Sequence, residues 1–213
     1  CRKVIEKLRP DVTYLAEKLT SMAVSRTRFA KVYYTHNRDT FRDYRVLGHS
    51  SPLRAGLARM IENRVMRRCN LIICPTEDYR IELAERGFTN TLVIPHGIQV
   101  RDYQNLGDRK FVFFTGQLHR VKGIDCLLKA FARIHPEFPE YSLVVGGEGP
   151  ERGRLEKDAR MFQLARHVRF RPWCDRSELL TEFATCSVYV LPSLAESFGI
   201  VVLEAMASGK PVI

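Results

Sequence analysis

The sequence lacks the patterns of several protein classes. It has no apolar run long enough to cross a bilayer. Its six cysteines form no Cys-x-x-Cys pair and no cluster with histidine at metal-ligand spacing. Aromatic residues do not alternate with the basic ones, as they do in many nucleic-acid-binding proteins. We therefore expect no metal, no nucleic-acid partner and reduced structural cysteines, which favour a cytoplasmic location.

An initiator methionine and a signal peptide are also absent from the 213 residues. The last residues, Pro211-Val212-Ile213, read as the beginning of an apolar strand. The 45% hydrophobic content is ordinary for a soluble globular protein. We expect an internal fragment of a longer protein, which would be inactive and poorly soluble when expressed alone.

Positive charge is concentrated in the first half of the chain. Before Asp108 there are 19 Lys and Arg against 11 Asp and Glu, out of a total net charge of +10. The densest basic stretch, residues 54–68, also has apolar residues at helical spacing. This stretch predicts an interfacial membrane helix, which would give peripheral contact at the inner face of the membrane. The alternative is an ordinary surface helix packed on its own sheet. Both interpretations remain open here.

Short apolar runs alternate with amphipathic stretches, which is typical of a doubly wound α/β protein. The runs at 71–74 and 111–114 are almost continuously apolar, which favours parallel strands buried on both faces. The predicted strands are 30–35, 70–74, 91–94, 111–115, 141–145, 168–170 and 187–191. The predicted helices are 53–68, 78–86, 123–134, 151–163, 178–184 and 199–208. A polar stretch at 99–108 predicts a domain boundary, giving domains 1–102 and 103–213.

Two glutamates eight positions apart, Glu196 and Glu204, lie in the most informative segment, residues 191–213. Glu196 falls in a loop after a strand, and Glu204 falls in a short helix that begins near Gly199. The start of that helix offers unpaired backbone N–H groups and a partial positive charge, which suit an anion such as a diphosphate. The two carboxylates could contact different parts of one elongated polar ligand. Alternatively, both are surface glutamates that only cap and solvate their helix.

Two glycine-containing turns precede this segment. In the first, residues 115–123, Gly116 permits close backbone approach and Lys122 brings a positive charge to a helix start. The second turn, residues 146–153, has the spacing Gly-x-Gly-x-x-x-Gly rather than that of a dinucleotide fingerprint. We therefore favour a structural role for these glycines over a dehydrogenase site. In the first half, His36 closes a predicted strand, where ligands bind in open α/β sheets.

Taken together, these motifs resemble the retaining family-4 glycosyltransferases of the GT-B fold. The resemblance is dense from Phe111 to Ile213 and diffuse over residues 9–98. It implies two Rossmann-like domains facing a cleft, both incomplete in this chain. It also implies transfer of a hexosyl group from a nucleotide-diphosphate sugar to a glycan or lipid-linked acceptor. The absence of any Asp-x-Asp agrees with a metal-independent reaction that needs no cofactor.

The resemblance also implies roles for particular residues. Glu196 would orient the sugar, Glu204 would bind the ribose, and His36 would lie at the sugar and acceptor end. The resemblance assigns the remaining donor-binding positions to Gly116, Gln117, Arg120, Lys122, Ser197, Phe198, Gly199 and Ile200.

The sequence departs from the family pattern at several of these positions. Gln117 stands where the family has an arginine, so the diphosphate clamp lacks one cation unless Arg120 replaces it. Arg171-Pro172 and Trp173 replace the usual base-reading turn, and Trp173 either stacks on a base or packs internally. Two alternatives therefore stay open: a catalytically silent nucleotide-sugar-binding module, and a sugar-nucleotide epimerase of the same fold.

Overall fold

A computed structural model describes residues 2–16, 27, 29–35, 52–196 and 198–213. The chain divides into two compact units, Cys1–His96 and Gly97–Ile213.

The first unit contains a parallel sheet of four strands in the order β1-β2-β3-β4. Consecutive strands are neighbours, so the chain crosses over in one direction along the sheet. The strands are β1 (Val12–Leu15), β2 (Ala30–Tyr34), β3 (Leu71–Cys74) and β4 (Thr91–Val93). The helices are α1 (Arg2–Leu8), α2 (Pro52–Met66) and α3 (Glu77–Glu85).

The core of the first unit lies on one face of its sheet. Ile72 and Cys74 in β3 are fully buried, whereas Leu71 and Ile73 are only half-buried. The buried pair packs with Val65 and Met66 of α2 and with other core residues: Leu15, Tyr33, Cys69, Tyr79, Leu83 and Phe88. The prediction that β3 is buried on both faces is therefore wrong in part, because the described residues cover one face more completely than the other.

The second unit contains another parallel sheet, in the order β7-β6-β5-β8. Its strands are β5 (Phe111–Thr115), β6 (Ser142–Gly146), β7 (Val168–Arg171) and β8 (Val188–Tyr189). Its helices are α4 (Ile124–Ile134), α5 (Arg152–Met161), α6 (Arg176–Thr185) and α7 (Ile200–Ala207). A parallel bridge from Tyr189 to Val212 continues the sheet beyond β8.

All five residues of β5 are buried, which confirms the sequence prediction for this strand. Val112 and Phe114 face one apolar cluster, formed with α4 and α5, while Phe111 and Phe113 face a second, formed with α6 and α7. Two filled faces explain why the strand is apolar at four of its five positions.

Strand β5 lies where the direction of winding in the second sheet reverses. From β5 the chain moves through β6 to β7 on one side, and β8 then returns to the other side of β5. The loops that follow β5 and β8 therefore separate at the carboxyl edge of the sheet. In open α/β sheets this switch point is where ligands bind.

Most predicted elements are present, with shifted ends. Predicted strand 187–191 is regular only at Val188–Tyr189, although the amide of Val190 still donates to the carbonyl of Phe113 at 2.8 Å. Side chains cap the starts of α3 and α6, since Thr76 accepts from the amide of Tyr79 and Asp175 accepts from that of Glu178. Sequence reasoning missed α1 and β1, which are short and carry charged or polar residues.

Within the described ranges, no helix is both long enough and apolar enough to span a membrane.

Candidate active site

The loops after β5 and β8 are joined by an ion pair. The ammonium of Lys122 donates to Oε2 of Glu196 at 2.6 Å, and the hydroxyl of Ser193 lies 3.4 Å from the same oxygen. Lys122 ends a 3-10 turn, Arg120–Lys122, that precedes α4. The two charged side chains retain 22% and 29% of their exposure, so both are accessible to a ligand. The structure thus brings together two residues that the sequence placed in separate motifs.

Close backbone contacts through glycines hold these loops in place. A Cβ at Gly123, where φ is +63°, would lie 2.1 Å from the carbonyl oxygen of Pro192 in the β8 loop. A Cβ at Gly147 would lie 2.0 Å from the carbonyl oxygen of Gly116, and one at Gly149 would lie 2.5 Å from that of Leu118. Both of the latter glycines belong to the turn after β6. Their role is structural, as predicted, because no other residue permits such close approach.

Tyr189 of β8 links the site to the sheet beneath it. Its side chain is fully buried, and its hydroxyl donates to the carbonyl of Thr115, the last residue of β5, at 3.2 Å. Burial raises the pKa of this phenol most, and the negative charges of Glu196 and Glu204 raise the pKa further. The hydrogen bond to Thr115 joins β8 to the end of β5.

Glu204 is buried in α7 rather than exposed on its surface. The helix begins after Gly199, which adopts a φ of +73°. The residue retains 6% of its exposure, and its Oε1 accepts hydrogen bonds from the hydroxyl of Tyr103 at 2.9 Å and from the guanidinium of Arg176. A glutamate that only solvates its helix would be exposed, so that alternative does not apply to Glu204.

Sequence reasoning missed both partners of Glu204. Arg176 follows the cap of α6 and also donates to the Tyr103 hydroxyl, with its guanidinium carbon 5.3 Å from the centre of the tyrosine ring. Tyr103 lies in a stretch that the sequence marked only as a domain boundary. Neither residue stands in a recognisable motif, so no local signal indicated their contact with Glu204.

The other predicted donor-binding residues lie in the loops after β5 and β8 and at the start of α7. The amide of Gly116 donates to the carbonyl of Gly146 at 3.0 Å, while the side chains of Gln117 and Arg120 are exposed. Phe198 is half-buried, and Ile200 at the start of α7 is 42% exposed. Two further predicted residues, His36 and Ser197, lie outside the described residues, so their roles stay predictions.

Trp173 occupies the turn between β7 and α6 and is 54% exposed. The alternative that it packs internally is therefore wrong, since most of the indole faces solvent. The neighbouring Arg171 forms an ion pair with Glu182 of α6. This pair joins the end of β7 to α6.

Family profiles match the whole length of the chain. The profile described as "Glycosyltransferase Family 4" matches residues 1–102, and that described as "Glycosyl transferases group 1" matches residues 98–213. The second match covers more than half of the chain and contains the Lys122–Glu196 pair and Glu204.

Curated relatives carry glycosyltransferase names. The chain is 28% identical over 232 residues to the GDP-mannose-dependent alpha-(1-6)-phosphatidylinositol dimannoside mannosyltransferase of Mycobacterium tuberculosis, covering 100% of this chain and 58% of that protein. It is 30% identical over 181 residues to the D-inositol 3-phosphate glycosyltransferase of Corynebacterium jeikeium, covering 73% of this chain and 43% of that one. The chain thus spans about half the length of these relatives.

Solved structures share the fold. Sucrose-phosphate synthase from Thermosynechococcus elongatus superimposes with a TM-score of 0.84 at 23% identity, covering 99% of this chain and 57% of that one. Anabaena Alr3699/HepE in complex with UDP superimposes with a TM-score of 0.75 at 22% identity, covering 99% and 61%. The profile matches and this shared architecture lead to one conclusion: the chain belongs to the family-4 glycosyltransferases of the GT-B fold.

Proposed function

We propose that the protein transfers a hexosyl group from a nucleotide-diphosphate sugar to an acceptor hydroxyl, with retention at the anomeric carbon. The observation that carries the proposal is the pairing of Lys122 with Glu196 at the switch point of the second sheet, 2.6 Å apart and partly exposed. A cation and a carboxylate at this place suit a ligand with an anionic diphosphate and a polyhydroxylated sugar. Buried Glu204 in the following helix supplies a further acceptor for ribose hydroxyls.

In this proposal the main catalytic effect is electrostatic. Lys122, assisted by Arg120, neutralises the charge that develops on the leaving diphosphate. Backbone amides of residues 198–200 at the start of α7 donate to the phosphate oxygens. Glu196 turns from Lys122 to the sugar hydroxyls when the phosphate takes over the ammonium. No metal ion is required in this scheme, because the protein's own cations meet the charge.

We assign the donor and acceptor by class. One relative is named as GDP-mannose-dependent, and the HepE structure contains UDP, so the family includes proteins that differ in the base. A nucleoside-diphosphate hexose is the common chemistry. The acceptor is a glycan or a lipid-linked sugar, as the names of the relatives suggest. Free cysteines in the described part of the chain favour action on the cytoplasmic side.

A second candidate is a module that binds nucleotide sugar but does not transfer it. The observation that favours it is Gln117, which is neutral and stands where the family pattern has arginine. Binding without turnover by the full-length protein would select this candidate. Lys122 and both glutamates, present together, favour the enzyme.

Turnover by the full-length protein, measured with UDP-, GDP- and ADP-hexoses, tests the proposal. We expect transfer to a sugar or lipid-linked acceptor from one of these donors, with an α-linked product from an α-linked donor. Calorimetry with the matching nucleotide diphosphate then tests the ribose assignment in Glu204→Gln. Loss of one charge-assisted hydrogen bond costs about 1.5–3 kcal/mol of binding free energy. Unchanged affinity would remove Glu204 from the site.

We also propose peripheral contact between α2 and an anionic membrane. Val65 and Met66 of this helix pack into the core of their unit, as an ordinary surface helix would. The opposite side exposes Leu57 at 54% and Met60 at 61%, with arginines nearby. Apolar residues flanked by cations suit the interface of a bilayer that contains anionic lipids.

A further inference from the structure

Glu204, Tyr103 and Arg176 form a closed hydrogen-bonded network in the second unit. The Tyr103 hydroxyl donates to Glu204 Oε1 at 2.9 Å. Arg176 donates to the same oxygen through Nη1 and to the tyrosine hydroxyl through Nη2. Each member therefore contacts the other two.

Tyr103 and Arg176 contact Glu204 from two different parts of the second unit. Tyr103 is 7% exposed and lies in a segment bonded to α6, since the amide of Leu106 donates to the carbonyl of Ala184 at 2.8 Å. Lys210, just after α7, donates to Oδ1 of Asn105 at 2.9 Å in the same segment. Arg176 lies on α6 and retains 53% of its side-chain exposure. Tyr103 is thus a fixed, neutral donor, and Arg176 is a cation at the edge of solvent.

The network supplies partners for a carboxylate that is buried. A buried carboxylate is stable in the ionised form only if it is paired and hydrogen-bonded. The hydrogen bonds that the described residues donate to the Glu204 carboxylate end on Oε1. Its second oxygen, Oε2, can therefore still accept a hydrogen bond. A ligand hydroxyl can bind there without displacing either protein partner.

We propose that Tyr103 and Arg176 are positioning residues for nucleotide binding. They hold Oε1 of Glu204 by hydrogen bonds and thereby fix its rotamer, so that Oε2 faces the ribose hydroxyls of the donor. This inference rests on the proposed function, because it needs a nucleotide that contacts Glu204. Neither residue needs to touch the nucleotide.

The experiment is a titration of the full-length protein with UDP and with GDP at pH 8 and pH 6, using whichever binds. Tyr103→Phe removes only the hydroxyl, and we expect affinity about three- to tenfold weaker at both pH values, the effect of one neutral hydrogen bond. Arg176→Met removes the cation that pairs with Oε1 of Glu204, so we expect a larger loss of affinity than in Tyr103→Phe. Arg176→Lys should restore most of the parent affinity, because it returns a cation to this position.

Arg154→Met is the matched control. Arg154 pairs with Glu151 at 2.7 Å and is 44% exposed, similar to Arg176, but it lies on α5 outside the network. It should bind like the parent at both pH values. Melting curves establish folding, and Tyr103→Phe and Arg176→Lys are conservative enough to keep the test informative if Arg176→Met fails to fold.

The outcomes separate the inference from the proposed function. If Glu204→Gln weakens binding while the Tyr103 and Arg176 variants match the parent, the positioning role is wrong and the ribose assignment stands. If Glu204→Gln binds normally, the ribose assignment fails and the inference fails with it. Tighter binding by Arg176→Met would show that the arginine competes with the ligand, which also overturns the inference.

Discussion

Lys122 and Glu196 are 74 positions apart in the chain, and their side chains meet at 2.6 Å. One follows the central strand β5 and the other follows β8, on opposite sides of the point where the winding reverses. The two side chains are partly exposed, so the pair contributes little to stability by itself, about 0–1 kcal/mol. The pair matters because it holds both charges between the loops that follow β5 and β8, at the carboxyl edge of the sheet.

Lys122 should contribute to binding of phosphate but not of nucleoside. We expect Lys122→Met in the full-length protein to weaken binding of UDP or GDP by about 1.5–3 kcal/mol, the value of a charge-assisted hydrogen bond. Affinity for uridine or guanosine should stay the same, because neither carries phosphate. Calorimetry measures both. Lys129→Met is the control, since that lysine is 63% exposed on α4 and pairs with Asp125. Equal losses for nucleotide and nucleoside would refute the assignment.

Arg120 should replace the cation that Gln117 lacks. Both side chains are exposed and follow β5. We expect Arg120→Ala to impair donor binding and turnover about as severely as Lys122→Ala. Adding Gln117→Arg to Arg120→Ala should restore part of the loss, because it returns a cation to the family position. Steady-state kinetics across donor concentrations provides the measurement. Intact turnover in Arg120→Ala would show that this arginine is an ordinary surface residue.

Two glycines four positions apart should respond oppositely to alanine. A Cβ at Gly149 would lie 2.5 Å from the carbonyl oxygen of Leu118, whereas a Cβ at Gly153 in α5 meets nothing within 4 Å. We expect Gly149→Ala to lower the free energy of unfolding by about 1–3 kcal/mol through overpacking. Gly153→Ala should raise it by about 0.5–1 kcal/mol through helix propensity. Urea unfolding followed by circular dichroism compares the two, and similar changes would contradict the close packing of the loops.

Cysteine reactivity should separate buried from exposed thiols. Burial raises the pKa of Cys186 to about 11, while Cys126 on α4 is exposed. At pH 8 only about one in a thousand Cys186 thiols is ionised, because three pH units separate the solution from the pKa. Iodoacetamide at pH 8 should therefore modify Cys126 first and Cys186 only after unfolding, as mass spectrometry would show.

The raised pKa of Cys186 also predicts that the folded protein loses stability in alkali. In the unfolded chain Cys186 has its ordinary pKa near 9. Folding raises that pKa, so the neutral thiol makes its full contribution to the free energy of unfolding below pH 9. That contribution is lost as the pH rises from 9 towards 11, because the thiol ionises in the unfolded chain before it ionises in the folded one. Cys186→Ala should flatten the alkaline decline, and an unchanged decline would show that other groups cause it.

Contact of α2 with membranes should depend on its exposed arginines. Arg64 and Arg67 lie one turn apart on the exposed side of the basic stretch. Charge reversal in Arg64→Glu/Arg67→Glu should abolish sedimentation with vesicles of phosphatidylglycerol and phosphatidylcholine. Lys157→Glu/Arg160→Glu makes the same change at exposed positions of α5. It should retain binding, and equal loss in the two variants would indicate only a general effect of net charge.

The sequence by itself determined the fold class and several parts of the site. Continuous burial of β5, the caps at Thr76 and Asp175, and the glycine turn after β6 follow from local pattern. These features depend on neighbours in the chain, through strand periodicity, side-chain to backbone bonds and backbone freedom. Glu196, Glu204 and Lys122 were identifiable because each stands in a recognisable motif.

Only the tertiary structure decided how these residues are paired. The Lys122–Glu196 contact depends on β8 lying beside β5, an order that the motifs do not specify. Tyr103 reaches Glu204 across 101 positions, and Arg176 reaches it across 28. Such contacts follow from which strands and helices become neighbours, and they leave no periodic signal in the chain. The physical reason is that a buried carboxylate takes its partners from whatever elements enclose it, and strand order sets those elements.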